Sequence, residues 1–230
     1  MGNSRKLAVG ALAALSGMLL ALPANAIPTL RITEGANIVT VTDNGTGDIN
    51  PFLGAVVFSG TVGNFIVNTV SGATKPILGS STSPLLDLNS LNINGTAGSQ
   101  IILEFSENDF TTSGQTLDLP SLVGGTTVGT LRYQTFASLT NIEFARDILI
   151  ADSGIMQGGF LFNAVATAAL SGSYSLTTVV TITHSAQFSN SSFNAILEIS
   201  EPAFAPPIVI GVLVLSANMA SRRRKRAIRT

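Results

Sequence analysis

The chain has 230 residues, 45% of them hydrophobic and only 11% charged, against roughly 25% charged in ordinary soluble domains. It contains no cysteine and no tryptophan, which excludes disulfides, thiolate metal sites and thiol nucleophiles. The formal net charge of −1 averages unlike pieces: residues 27–200 carry four basic side chains (Arg31, Lys75, Arg132, Arg146) and twelve acidic ones, near −8 in all, so a nucleic-acid partner for this region is not expected.

In chain order, residues 1–26 read as a secretory signal peptide. Arg5 and Lys6 precede an apolar run over 7–22, and Ala24-Asn25-Ala26 sets small residues at the two positions a signal peptidase reads. Cleavage is expected before Ile27. An uncleaved anchor fits less well, because the apolar run is short and broken by Gly10, Ser16 and Gly17.

Residues 27–200 read as one β-rich domain. Val39 and Val41 alternate with Thr40 and Thr42. Ile101, Leu103 and Phe105 share a face opposite Ile102, Glu104 and Ser106. Phe193, Ala195, Leu197 and Ile199 share a face opposite Asn194, Ile196 and Glu198. Period two with Val, Ile, Thr and Phe predicts half-buried strands. Further strands are predicted over 30–33, 54–59, 64–70, 86–93, 128–136, 160–168 and 175–184. Turns are expected at Glu34-Gly35, Asn44-Gly45, Asn94-Gly95, Gly124-Gly125 and Ser171-Gly172. The stretch 71–84 reads as a surface loop, and 144–156 as a short helix or a loop. About ten strands predict an all-β, antiparallel β-sandwich or jelly roll.

The chemistry-bearing residues are sparse. His184 is the sole histidine, with no Gly-x-Ser-x-Gly around any serine, so a packed or strand-end histidine is favoured over a catalytic one. A histidine-based zinc site lacks further ligands. Asp43-Asn44-Gly45-Thr46-Gly47-Asp48 and Glu107-Asn108-Asp109 offer hard oxygens suited to Ca²⁺. The first has no closing Glu of an EF-hand loop, and Asp, Asn and Gly favour turns in their own right. With two tyrosines and no tryptophan, a stacking carbohydrate platform is not expected; the phenylalanines read as core. Asn44-Gly-Thr46, Asn94-Gly-Thr96 and Asn190-Ser-Ser192 match glycosylation sequons but read as turns and polar surface. No catalytic residue, cofactor or metal is predicted.

Residues 201–230 read as a sorting tail. Glu201-Pro202 is followed by an uncharged stretch, 203–220, which as a helix would span roughly 27 Å, close to a hydrocarbon core of about 30 Å. Arg222, Arg223, Arg224, Lys225, Arg226 and Arg229 follow. Such positive charge stays cytoplasmic, leaving residues 27–200 outside. An LPxTG motif is absent before this stretch; Leu119-Pro120-Ser121-Leu122 lies too far upstream and lacks the Thr and Gly.

In this order, Glu-Pro, apolar stretch, Arg cluster and chain end, the tail resembles the PEP-CTERM sorting signal of bacterial exopolysaccharide producers. Glu201 and Pro202 match the last two motif positions, and Ser200 stands where the first proline usually is. The resemblance implies recognition by an exosortase, a membrane protease-transpeptidase that cuts near the motif. It implies a protein exported past a signal peptidase and held transiently in the membrane. Delivery to the surface or matrix would follow, in association with exopolysaccharide and biofilm. A non-enzymatic role is expected. Two alternatives are a secreted hydrolase on a jelly-roll scaffold and a calcium-dependent adhesive module.

Overall fold

The computed structural model describes residues 26–187 and 189–199. The predicted signal peptide up to Asn25 and the tail with its apolar stretch, 203–220, lie outside the described residues. Among the described residues no helix is long and apolar enough to cross a membrane.

Alternation becomes ten strands: β1 (Thr29–Glu34), β2 (Asn37–Thr42), β3 (Ala55–Val62), β4 (Phe65–Ala73), β5 (Leu85–Gly95), β6 (Gln100–Thr112), β7 (Thr116–Ser138), β8 (Ile148–Ala169), β9 (Gly172–His184) and β10 (Ser189–Glu198). Each predicted strand has an observed counterpart, and every ladder is antiparallel. They form one sheet in the order β2-β1-β6-β9-β7-β10-β5-β4-β3, with β8 attached to β7 alone.

That sheet is folded over. Ser121 Oγ and Thr135 Oγ1, both on β7, lie 3.0 Å apart. In a straight strand at about 3.3 Å per residue they would be roughly 45 Å apart, so β7 doubles back between them. The fold falls near Gly129, whose φ of 135° favours glycine, and where the β7–β8 register slips between Thr127 and Leu131. Before the fold, β7 pairs with β10 through Ser121–Thr127. After it, β7 pairs with β9 through Gly129–Ser138. Two facing layers result, β2-β1-β6-β9 and β3-β4-β5-β10, each completed by half of β7.

The expected sandwich is corrected in one respect: its layers belong to one continuous sheet, nearly closed like a barrel. Continuity follows from β7, which bridges both layers. At the opposite side β2 and β3 come together, and Asn64 Nδ2 donates to Glu34 Oε1 at 2.9 Å between the β1–β2 and β3–β4 turns.

The core lies between the layers. Leu30, Ile32, Phe65, Leu86, Phe105, Leu131, Leu197 and Ile199 are fully buried, each worth about 1.5–3 kcal/mol on transfer from water. The Tyr133 hydroxyl on β7 donates to Ile196 O of β10 at 2.8 Å, pinning one layer to the other. A Cβ at Gly72 of β4 would fall 2.4 Å from the Phe105 ring of β6, so the glycine makes room for an aromatic of the facing layer.

Three further expectations are corrected. Gly124-Gly125 is not a turn but lies inside β7. A Cβ on Gly125 would come 2.2 Å from Ser192 O and 3.0 Å from the Phe160 ring, so Gly125 is bare because its neighbouring strands crowd it. The stretch 144–156 is loop up to Asp147 and β8 from Ile148, with no helix. The loop predicted over 71–84 begins later, after β4 ends at Ala73. Pro120 is tolerated within β7 because the β10 ladder stops at Ser121, its neighbour.

Candidate functional site

His184 ends β9 beside the fold of β7, paired in register with Gly129. It is fully buried. Its ring tilts against Phe65 at 5.2 Å. Nε2 lies 3.0 Å from Ser191 Oγ, which lies 2.7 Å from Thr127 Oγ1. Nδ1 has no hydrogen-bond partner, and burial pushes the imidazole below its ordinary pKa. A triad would set a carboxylate on Nδ1 and an accessible hydroxyl on Nε2. Here Nδ1 is bare and Ser191 is fully buried, so the pair packs the corner where the sheet turns between layers.

The carboxylates are held just as firmly. Asp48 Oδ1 accepts from the backbone amides of Asn50 and Val57, both at 2.9 Å, and Oδ2 from that of Asn44 at 2.9 Å. Asp43 Oδ2 accepts from the Gly54 amide at 2.7 Å. Oxygens a Ca²⁺ ion would use instead staple the β2–β3 connection. Among the described residues no three His, Cys, Asp or Glu side chains gather as a metal cluster. Asp109 pairs with Asn141, whose Nδ2 donates to Oδ1 at 2.6 Å. The sequon asparagines are turn and ladder residues: Asn44 has φ 54°, and Asn190 Nδ2 donates to Asn94 Oδ1 at 2.9 Å across β10 and β5.

Two buried charge centres stand on β6: Glu104, which the sequence offered only as part of a strand alternation, and Glu107, which it offered as a Ca²⁺ ligand. Glu104 on β6, 3% exposed, accepts from Arg31 Nε at 2.6 Å and from Arg146 at 2.6 Å. Arg31 also stacks 4.0 Å over Phe144. Burial raises the Glu104 pKa, but the two guanidiniums outweigh it and hold the carboxyl below its ordinary range. Glu107, three residues on and fully buried, accepts from Thr74 Oγ1 at 2.7 Å. Lys75 Nζ stands 3.0 Å from its Oε1, close enough for an ion pair but too poorly angled for a hydrogen bond. Burial pushes Glu107 up to about 7 despite Thr74 and Lys75, and pushes Lys75 down. A sequence signal existed for each: Glu104 falls opposite Ile101, Leu103 and Phe105, whereas Glu107 falls on their own apolar face, in a chain with few bases.

With Arg132 paired to Asp152 across β7 and β8, all four basic side chains of the described residues are ion-paired. The remaining charge on this body is acidic. Of the predicted recognition residues, Ala26 opens the described residues, three positions before β1. Ala24, Glu201, Pro202, Arg222, Arg223, Arg224, Lys225 and Arg226 lie outside them.

No family model matches the sequence, and no curated protein matches it. Solved structures share its β-rich character at low similarity. A cleaved adhesin domain of Lys-gingipain from Porphyromonas gingivalis is 12% identical, with TM-score 0.33, covering 78% of this chain and 95% of that one. The enzymatically active domain of tailspike protein 4 from bacteriophage CBA120 is 15% identical, with TM-score 0.32, covering 68% of this chain and 21% of that one. A structure of infectious bursal disease virus is 14% identical, with TM-score 0.35, covering 89% of this chain and 55% of that one.

Proposed function

We propose that this is an exported surface or extracellular-matrix protein, delivered by an exosortase-type system and without catalytic activity of its own. The observation that carries the reading is the bracket of recognition residues around the β body. β1 begins at Thr29, just beyond the predicted cut after Ala26, and β10 ends at Glu198, just before Glu201-Pro202. Among the described residues every ladder lies between the two recognition sequences, and proteases favour chain outside packed elements. In support of a non-enzymatic role, His184, Ser191, Asp43, Asp48 and Glu104 are all engaged in packing or in bonds that hold the fold.

The matrix partner that suits this body is an uncharged glycan. Every basic side chain of the described residues is already paired, leaving none to recruit an acidic polymer. The delivery claim is tested by the intact mass of the exported protein. A species beginning at Ile27 and lacking residues 222–229 is expected. A mature species that retains Arg222–Arg226 would overturn exosortase-type processing.

A further inference from the structure

β8 runs along one whole side of the molecule and pairs only with β7. Its other edge presents main-chain donors and acceptors without a ladder among the described residues. Proteins ordinarily blunt such an edge with bulges, prolines or charge, above all lysine. The first part of β8 is blunted in this way: its register slips three times before Thr127↔Gly158, and Gly154 and Gly158 have φ of 64° and 65°. From Gly158 to Ala169 the register is unbroken. There is no proline in this run, and no Asp, Glu, Lys or Arg occurs anywhere from Ser153 to Leu197.

The side chains of this run alternate. Phe160, Phe162, Ala164, Ala166 and Ala168 pack on the core, while Leu161 and Val165 are 76% and 63% exposed. The order of sizes is self-complementary. If two copies of β8 meet antiparallel about a two-fold axis at Asn163, Phe160 faces Ala166, Phe162 faces Ala164, and Leu161 faces Val165. Each large side chain then meets a smaller one on the same face of the sheet. Asn163 faces its own copy on the axis, and no like charges oppose. The rest of the body is acidic and repels a second copy, so this neutral edge is where self-association costs least.

We propose that the Gly158–Ala169 edge of β8 is a dimerisation strand, joining two copies antiparallel about Asn163 into one sheet running through both molecules. The interface is isologous, as a two-fold contact requires, and its affinity comes from main-chain ladders as in strand addition.

The chain has no cysteine, so a single introduced thiol reports without background. In the full chain recovered as exported, Asn163→Cys is expected to form a covalent dimer under mild oxidation or with a short bismaleimide. The control Asn68→Cys, on an exposed face of β4, stays monomeric. By sedimentation the exported protein is expected at twice the monomer mass. Val165→Lys, which places a lysine opposite Leu161 on each side of the axis, is expected to halve that mass while leaving the melting temperature of the monomer's own sheet in place. Equal cross-linking at Asn163→Cys and Asn68→Cys overturns the proposal, as does a monomeric mass at micromolar concentration. A cross-link from Asn163→Cys to a different protein overturns self-pairing and assigns the edge to another chain.

Discussion

Glu104 and Glu107 lie on the same strand, three residues apart, yet they sit on opposite sides of their ordinary pKa. Both are buried; they differ in what surrounds them. Glu104 has two guanidiniums at 2.6 Å, while Glu107 has one ammonium, itself weakened by burial. Glu104→Ala leaves two arginines without their acceptor, and chemical denaturation is expected to show a loss of about 1–3 kcal/mol; the value stays modest because both arginines reach water. For Glu107 the sign runs the other way. Its folded pKa of about 7 exceeds the ordinary 4.5, so the folded protein holds a proton that the unfolded chain gives up. Stability therefore falls as pH rises from 4.5 to about 7. Glu107→Gln removes this contribution. Melting temperatures over that window are expected to slope less in the variant than in the wild type, and equal slopes would refute the assignment.

β7 is the element on which the fold turns. Its alternation after Val128 is regular, but before it Pro120 and Gly124-Gly125 look like punctuation. In the structure Gly125 is bare because Ser192 O and Phe160 occupy the space of a side chain. Gly125→Ala is accordingly expected to cost about 1–3 kcal/mol through overpacking. The loss should appear in hydrogen exchange as weakened protection of the β7–β10 ladder before that of β6–β9. In an exposed turn the same change would leave the protection of the β7–β10 ladder in place, which separates the two readings. β8 shows the converse. Its second half was legible as a strand because Phe160–Ala168 alternates. Its first half, rich in glycine and carrying Asp152, has no such period, and it is a strand because β7 provides a long template.

Because β7 belongs to both layers, neither layer is complete alone. Unfolding in urea is expected as one cooperative step, with coincident transitions by far-ultraviolet circular dichroism and by the fluorescence of Tyr133 and Tyr174. Two separated transitions would show that the layers behave as independent domains despite their shared strand. At this scale charge matters as well. Pairing of all four basic side chains leaves an acidic body bordered along Gly158–Ala169 of β8 by a long uncharged edge.

Legible in the chain alone were most strand segments, though not the first halves of β7 and β8, together with the antiparallel all-β class, the packed character of His184 and the turn role of Asp43 and Asp48. Each depends on local chemistry: period-two alternation, turn-forming residues and the want of catalytic companions. Long-range packing makes the two layers one folded sheet, sets Gly124-Gly125 within a strand, and parts Glu104 from Glu107 in protonation. Those outcomes depend on residues far apart in the chain, Ser121 against Thr135, Gly72 against Phe105, Arg31 and Arg146 about Glu104. No local pattern encodes which distant side chain will arrive, because the approach is fixed by how the long β7 strand folds over on itself.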